Sequence, residues 1–112
     1  LAVTIGAHVG IDIELERHIE DPLRIARRVM NRAEVDLLAG LAATARRRAF
    51  FDLWTRLEAR QKAVGRGIFA EPASADGLST FGFRPEATQV ACLAVSPVMA
   101  TPQIRFFNYR AR

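Results

Sequence analysis

Two short stretches of this chain concentrate the groups that could do chemistry. In Gly10-Ile11-Asp12-Ile13-Glu14 two carboxylates stand at i and i+2, so on a strand both project from one face. In the stretch from Trp54 to Lys62, Glu58 and Lys62 stand at i and i+4, so on a helix they project together. Three acids and one ammonium brought together make a cradle for a divalent metal holding a phosphate ester. A hard cation such as Mg2+ takes carboxylate oxygens, keeps several waters and shares its shell with substrate phosphates. Crowded carboxylates repel one another unless a cation neutralises them, and Lys62, the only lysine in the chain, offers a point charge to the same phosphate oxygens. The same residues would equally serve as the solvated face of an edge strand (Asp12, Glu14) and an exposed helix pair (Glu58, Lys62) worth about 0.2–0.5 kcal/mol. Spacing alone leaves both readings open.

The elements that must position these residues are legible around them. Leu1 to Ile5 reads as a strand, Gly6-Ala7-His8 as a turn and Val9 to Glu14 as a second strand, together a hairpin. Asp21 as N-cap and Pro22 at the first helical position start a helix with Leu23, Ile25, Ala26, Val29 and Met30 on its apolar side. Asn31 followed by Glu34 is a capping-box arrangement for a second helix running to about Leu38, loosened at Gly40. Thr44 is placed to cap a long third helix through Val64, stopped by Gly65-Arg66-Gly67. Phe50, Leu53, Trp54 and Leu57 fall at i, i+3, i+4 and i+7, the stripe of a core-facing helix, with Glu58 at its border. Glu71 to Gly77 reads as a loop; Leu78 to Phe83 and Thr88 to Val95 read as strands, and Ile104 to Tyr109 is a candidate last one. Strands, three helices and then two or three strands predict an α+β fold, with three helices packed on an antiparallel sheet.

A chain of 112 residues is the size of one domain with one modest core. The longest apolar run, Val90 to Ala100, is cut by Ser96 and Pro97 and is too short to span a bilayer, so no membrane partner is expected. No basic segment followed by a long apolar run marks a signal peptide. Cys92 stands alone within an apolar run, which predicts a buried thiol and a cytoplasmic protein. The net charge of +4 comes largely from Arg27-Arg28 and Arg46-Arg47-Arg48. These patches fit either anionic partners or solvated helix faces. A nucleic-acid binder ranks last, for want of a helix-turn-helix pattern or interleaved aromatic and basic residues on a strand. His8 and His18 lack metal-ligand spacing.

Val9-Gly10-Ile11-Asp12-Ile13-Glu14, followed about forty residues later by Phe50-Phe51-x-x-Trp54-Thr55-x-x-Glu58-Ala59-x-x-Lys62-Ala63-x-Gly65-x-Gly67, closely resembles the 4'-phosphopantetheinyl transferase superfamily. The likeness is to the C-terminal lobe of the two-lobed, synthase-activating type, strong from about Val9 to Gly67 and reduced to strand pattern beyond. It implies Mg2+-dependent transfer of the phosphopantetheine arm of coenzyme A to a serine of an acyl or peptidyl carrier protein, the holo-acyl-carrier-protein synthase reaction. Carried over position by position, Asp12, Glu14 and Glu58 match the metal ligands, and Lys62 matches the lysine that approaches the coenzyme A phosphates. Glu34 matches an acid that in some members helps deprotonate the carrier serine, while its local pattern is equally that of a helix cap.

Two departures from the family pattern stand out. Leu57 occupies the place of the usual lysine before the glutamate, leaving Arg56 and Arg60 as neighbouring cations for the cofactor phosphates. The resemblance also makes residues 1–112 a single transferase-like domain without the N-terminal lobe. A chain carrying half of the site is expected to self-associate rather than persist as a monomer. The alternative function is a degenerate or truncated lobe that only binds coenzyme A or docks a carrier protein.

Overall fold

The computed structural model describes residues 2, 4, 6–65, 77–96 and 103–107. Its elements run β1 (His8–Leu15), α1 (Pro22–Val29), α2 (Arg32–Ala39), α3 (Ala43–Ala63), β2 (Ser79–Phe83) and β3 (Gln89–Ser96). The three strands form one antiparallel sheet in the order β1-β3-β2, so the expected α+β architecture of three helices on an antiparallel sheet is observed.

The central place of β3 explains its composition. A strand with a neighbour on each edge and cover on both faces reads as a continuous apolar run, and Val90, Ala91, Cys92, Ala94 and Val95 are all buried. Beside it, β1 alternates. Gly10, Asp12 and Glu14 face α3, whereas Ile13 and Leu15 point to the opposite face and are 49% and 56% exposed.

The helices cover the other face. Asp21 caps α1 through its carboxylate, which accepts from the Arg24 amide at 3.1 Å. Asn31 and Glu34 complete the capping box of α2, each side chain accepting from the other's backbone N–H at 2.9 and 3.1 Å. Arg46 of α3 donates to the carbonyls of Leu38, Ala39 and Leu41, tying α3 to the C-terminal end of α2 and the residues after it. Ala26, Leu38, Phe50, Phe51 and Val90 form the main core, with Ile19, Leu23, Ile25 and Leu53 against it. Each large apolar side chain removed from water there contributes about 1.5–3 kcal/mol.

The long helix α3 crosses β1 and β3, and glycine sets its distance. A Cβ at Gly10 would collide with the Ala59 carbonyl oxygen and the Ala63 amide nitrogen. Strand and helix therefore meet backbone to backbone, a spacing that only glycine allows.

Several sequence expectations are corrected. β1 begins at His8, which is therefore not in a turn, and it pairs with β3. Ala2 and Thr4 are not in a strand, and Leu1, Val3 and Ile5 lie outside the described residues. The N-cap of α3 is Ala42, without a side-chain bond, and Thr44 lies inside the first turn. The close of α3 falls as expected near Val64, with Gly65 at φ +70°, while Arg66 and Gly67 lie outside the described residues. Of the expected core-facing stripe, Phe50, Leu53 and Trp54 do pack in the main core, and Leu57 is half-buried, but the wholly buried line of α3 is Phe51, Thr55, Ala59 and Ala63. Periodicity favoured large residues, but the tightest contact was reserved for small ones. Of the candidate last strand, residues 104–107 are not in a strand; Phe106 instead sets its ring edge-on to Phe83 at 5.3 Å. Asn108 and Tyr109 lie outside the described residues. Most of the Glu71–Gly77 loop lies outside the described residues.

Candidate functional site

The site is built from one row on α3 and one on β1. Trp54, Glu58 and Lys62 are four residues apart and line up along the helix; Glu14 and Asp12 are two apart and share a strand face. Trp54 meets Glu14 and Lys62 meets Asp12, so the helix runs antiparallel to the strand and Glu58 lies between the two contacts.

Asp12 is only 6% exposed. Lys62 Nζ donates to its Oδ1 at 2.9 Å and to the Ile11 carbonyl at 3.2 Å. The other oxygen, Oδ2, is buried and without a hydrogen-bond partner. Leaving a buried acceptor unsatisfied costs about 1–3 kcal/mol, more when it is charged. An added ligand for that oxygen would relieve the cost.

Glu58 is half-buried, and its carboxyl holds its proton more tightly than an ordinary glutamate. Burial is the main cause; the negative charges of Asp12 and Glu14 act the same way, and Lys62 opposes them. The Lys62 ammonium is in turn pushed above its usual range, first by its hydrogen bond to Asp12, against burial and with help from the charges of Asp12, Glu58 and Glu14. The four groups thus share one electrostatic neighbourhood.

Among the described residues, no three histidines, cysteines or acids are gathered tightly enough to hold a metal ion by themselves. An Mg2+ site does not need such a cage, because the ion commonly takes one or two carboxylates and completes its octahedron with waters and phosphate oxygens. An all-carboxylate donor set, with a buried Asp12 oxygen lacking a partner, fits a hard cation in its chemistry.

Glu14 has partners on both oxygens. The Trp54 indole N–H donates to Oε1 at 3.3 Å, and an Arg17 guanidinium nitrogen lies 3.6 Å from Oε2. The apolar stripe favours core over contact for Trp54, and the residue does pack against the main core as well as reaching Glu14. Its place one helical turn before Glu58, on the same row, is the signal that marks it as a neighbour of the site.

The remaining candidate residues are placed elsewhere. The charges of Arg56 and Arg60 are felt by Cys92, and neither figures among the charges acting on Glu58. Arg56 lines a cleft of about 290 Å³ with Thr55, Gly82, Arg84 and Cys92. Cys92 is buried as expected, and burial raises its thiol pKa despite the opposing charges of Arg56 and Arg60. Glu34 is engaged in its capping box. Leu57 is half-buried. A larger cleft of about 700 Å³ opens between α1 and the segment after β1, lined by Ile19, Arg24, Ile25, Arg28 and Trp54 among others.

Beyond the acids themselves, Arg84 ties the β2–β3 turn to the helical layer. Its guanidinium reaches Glu16 at 3.1 Å and Asp52 at 3.2 Å. Among the described residues, no helix is long and apolar enough to cross a membrane.

Comparison with known proteins gives a family match over most of the chain. Residues 8–103 match the model of the 4'-phosphopantetheinyl transferase superfamily. Among curated proteins, the chain is similar to the 4'-phosphopantetheinyl transferase HetI of Nostoc sp., 37% identical over 67 residues, which is 60% of this chain and 28% of that protein. It is also similar to slr0495 of Synechocystis sp., 31% identical over 68 residues, 61% of this chain and 28% of that protein. The matched stretch thus spans little more than a quarter of each relative. With the fold and the match over most of its length in agreement, the chain belongs to the 4'-phosphopantetheinyl transferase superfamily.

Proposed function

We propose that this chain serves Mg2+-dependent transfer of the phosphopantetheine arm of coenzyme A to a serine hydroxyl of a carrier protein. The observation that carries the reading is the buried Asp12 carboxylate, one oxygen on Lys62 and the other without a partner, within electrostatic reach of Glu58. Asp12, Glu14 and Glu58 would hold the cation, which supplies charge stabilisation at the pyrophosphate when bound. Lys62, half exposed, is free to swing its ammonium from Asp12 towards phosphate oxygens. Glu34 would accept the serine proton as the hydroxyl oxygen attacks the β-phosphorus, the bond to the bridging oxygen breaks and adenosine 3',5'-bisphosphate leaves. Arg56 and Arg60 would add positive charge for the coenzyme phosphates from the other flank of α3. We assign the reaction to the cytoplasm, where coenzyme A and carrier proteins meet.

The test is incubation with coenzyme A, Mg2+ and an apo carrier protein, followed by intact mass. A carrier heavier by one phosphopantetheine supports the reading. Mg2+-dependent coenzyme A binding without transfer would favour the binding-only alternative, which the Leu57 departure motivates. Carrier binding that needs neither metal nor coenzyme would favour a docking lobe.

Self-association belongs to the same proposal. Ile13 and Leu15 stand half exposed on the sheet face that, among the described residues, carries no helix, apolar surface that a second copy would bury. Light scattering that finds a well-folded monomer at micromolar concentration would count against it.

A further inference from the structure

The geometry points to Trp54 as the positioning residue for Glu14. This inference rests on the proposed role of Glu14 as a cation ligand and extends it to the group that aims the carboxylate.

A carboxylate on a two-bond stem rotates unless something fixes it, and ordering it only when a ligand arrives costs free energy at that moment. Here both oxygens are already engaged, Oε1 by the Trp54 N–H and Oε2 by Arg17. Each partner is anchored in turn by the same aromatic pair. The Trp54 indole stacks on Phe50, with ring centroids 5.8 Å apart and planes 22° apart. The Arg17 guanidinium lies 5.4 Å over the Phe51 ring. Phe50 and Phe51 are themselves buried and packed edge to face at 5.5 Å. The orientation of Glu14 is therefore set by side chains rooted in the main core.

The polarity of the contact matters. Indole is a donor only, so Trp54 occupies one acceptor direction of Oε1. The remaining lone-pair directions of the two oxygens stay available to a ligand. A phenylalanine at this position would keep the stack on Phe50 and lose the aim. Outer partners of this kind hold cation ligands in place, and their loss typically lowers affinity by about 10–100-fold.

Trp54 is also the only tryptophan in the chain, so the residue proposed to aim Glu14 is its own spectroscopic reporter. Charge arriving at Glu14 changes the field along the indole N–H and should shift the emission.

Two measurements on the 112-residue chain test this. Calorimetric titration with Mg2+ compares wild type with Trp54→Phe, with circular dichroism and thermal melting to confirm that the variant is folded. The expected result is an affinity about 10–100-fold lower in the folded variant. Equal affinity would overturn the positioning role while leaving the cation site standing. Should Trp54→Phe fail to fold, wild-type emission decides: a shift that saturates with the calorimetric isotherm supports the contact, and binding heat without any emission change overturns it. Absence of binding heat in the wild type would overturn both this inference and the metal reading beneath it.

Discussion

The Lys62 ammonium lies 2.9 Å from Oδ1 of Asp12, joining the last turns of α3 to the middle of β1 across fifty residues of chain. The carboxylate is buried and the ammonium half exposed, so the two partners are unequal. Removing the lysine would leave a buried charge with neither oxygen paired to a side chain.

Lys62→Met is therefore expected to destabilise the fold by about 1–3 kcal/mol, the cost of a buried group losing its partner. Adding Asp12→Asn should return part of that loss. Urea denaturation of the two single variants and the double variant measures the coupling.

The acid at the centre of the row predicts an opposite effect. Because the Glu58 carboxyl holds its proton more tightly when folded than the ordinary value of 4.5, the folded state binds more protons between that value and its raised one. Its contribution is present at low pH and is lost as pH rises through the raised value. Glu58→Gln should melt higher than wild type at neutral pH, the gap closing at pH values below 4.5. Melting curves from acid to neutral pH, without divalent cations, check the sign.

Glu34 has a structural role and a proposed chemical one, and glutamine separates them. A glutamine still completes the capping box, so Glu34→Gln should change stability by no more than about 0.5 kcal/mol. If Glu34 takes the serine proton, carrier modification should slow by about 100-fold or more. Asn31→Ala should do the reverse, costing about 1 kcal/mol through the lost cap and slowing transfer far less. Intact-mass time courses and urea denaturation read the two effects.

Gly10→Ala places a methyl group against the backbone of Ala59 and Ala63. Neither neighbour can turn a side chain aside, so the cost should be at least about 3 kcal/mol. The Lys62–Asp12 contact should loosen with it. A lower melting temperature and faster amide exchange along β1 and α3 are the expected signs.

The fold was legible wherever local chemistry decides it. The Asp21-Pro22 start and the Asn31–Glu34 box follow from backbone donors that only nearby side chains can satisfy, and both are formed as expected. The two site motifs could be placed on a strand and a helix from spacing alone. Their meeting could not, because it depends on Gly10 touching Ala59 and Ala63, a contact with no hydrophobic periodicity to announce it. Thr44 was a plausible cap, but α3 starts from an N-cap two residues earlier, Ala42, and Arg46 closes the junction instead. The Trp54 contact escaped notice because an aromatic in an apolar stripe explains itself without a partner.

The strand order also bears on when the site can exist. In the sheet β1 pairs with β3, with Asp12 opposite Cys92, so the strand carrying two acids waits for a partner supplied near the end of the described chain. The helices rest on local contacts and capped ends, which form quickly, whereas closing a long loop between distant strands is slow. During synthesis α1, α2 and α3 can be made while β1 still lacks its ladder. The ladder that holds the acid strand in register is thus expected to close late, once β3 has joined the sheet, even though α3 can meet β1 before then.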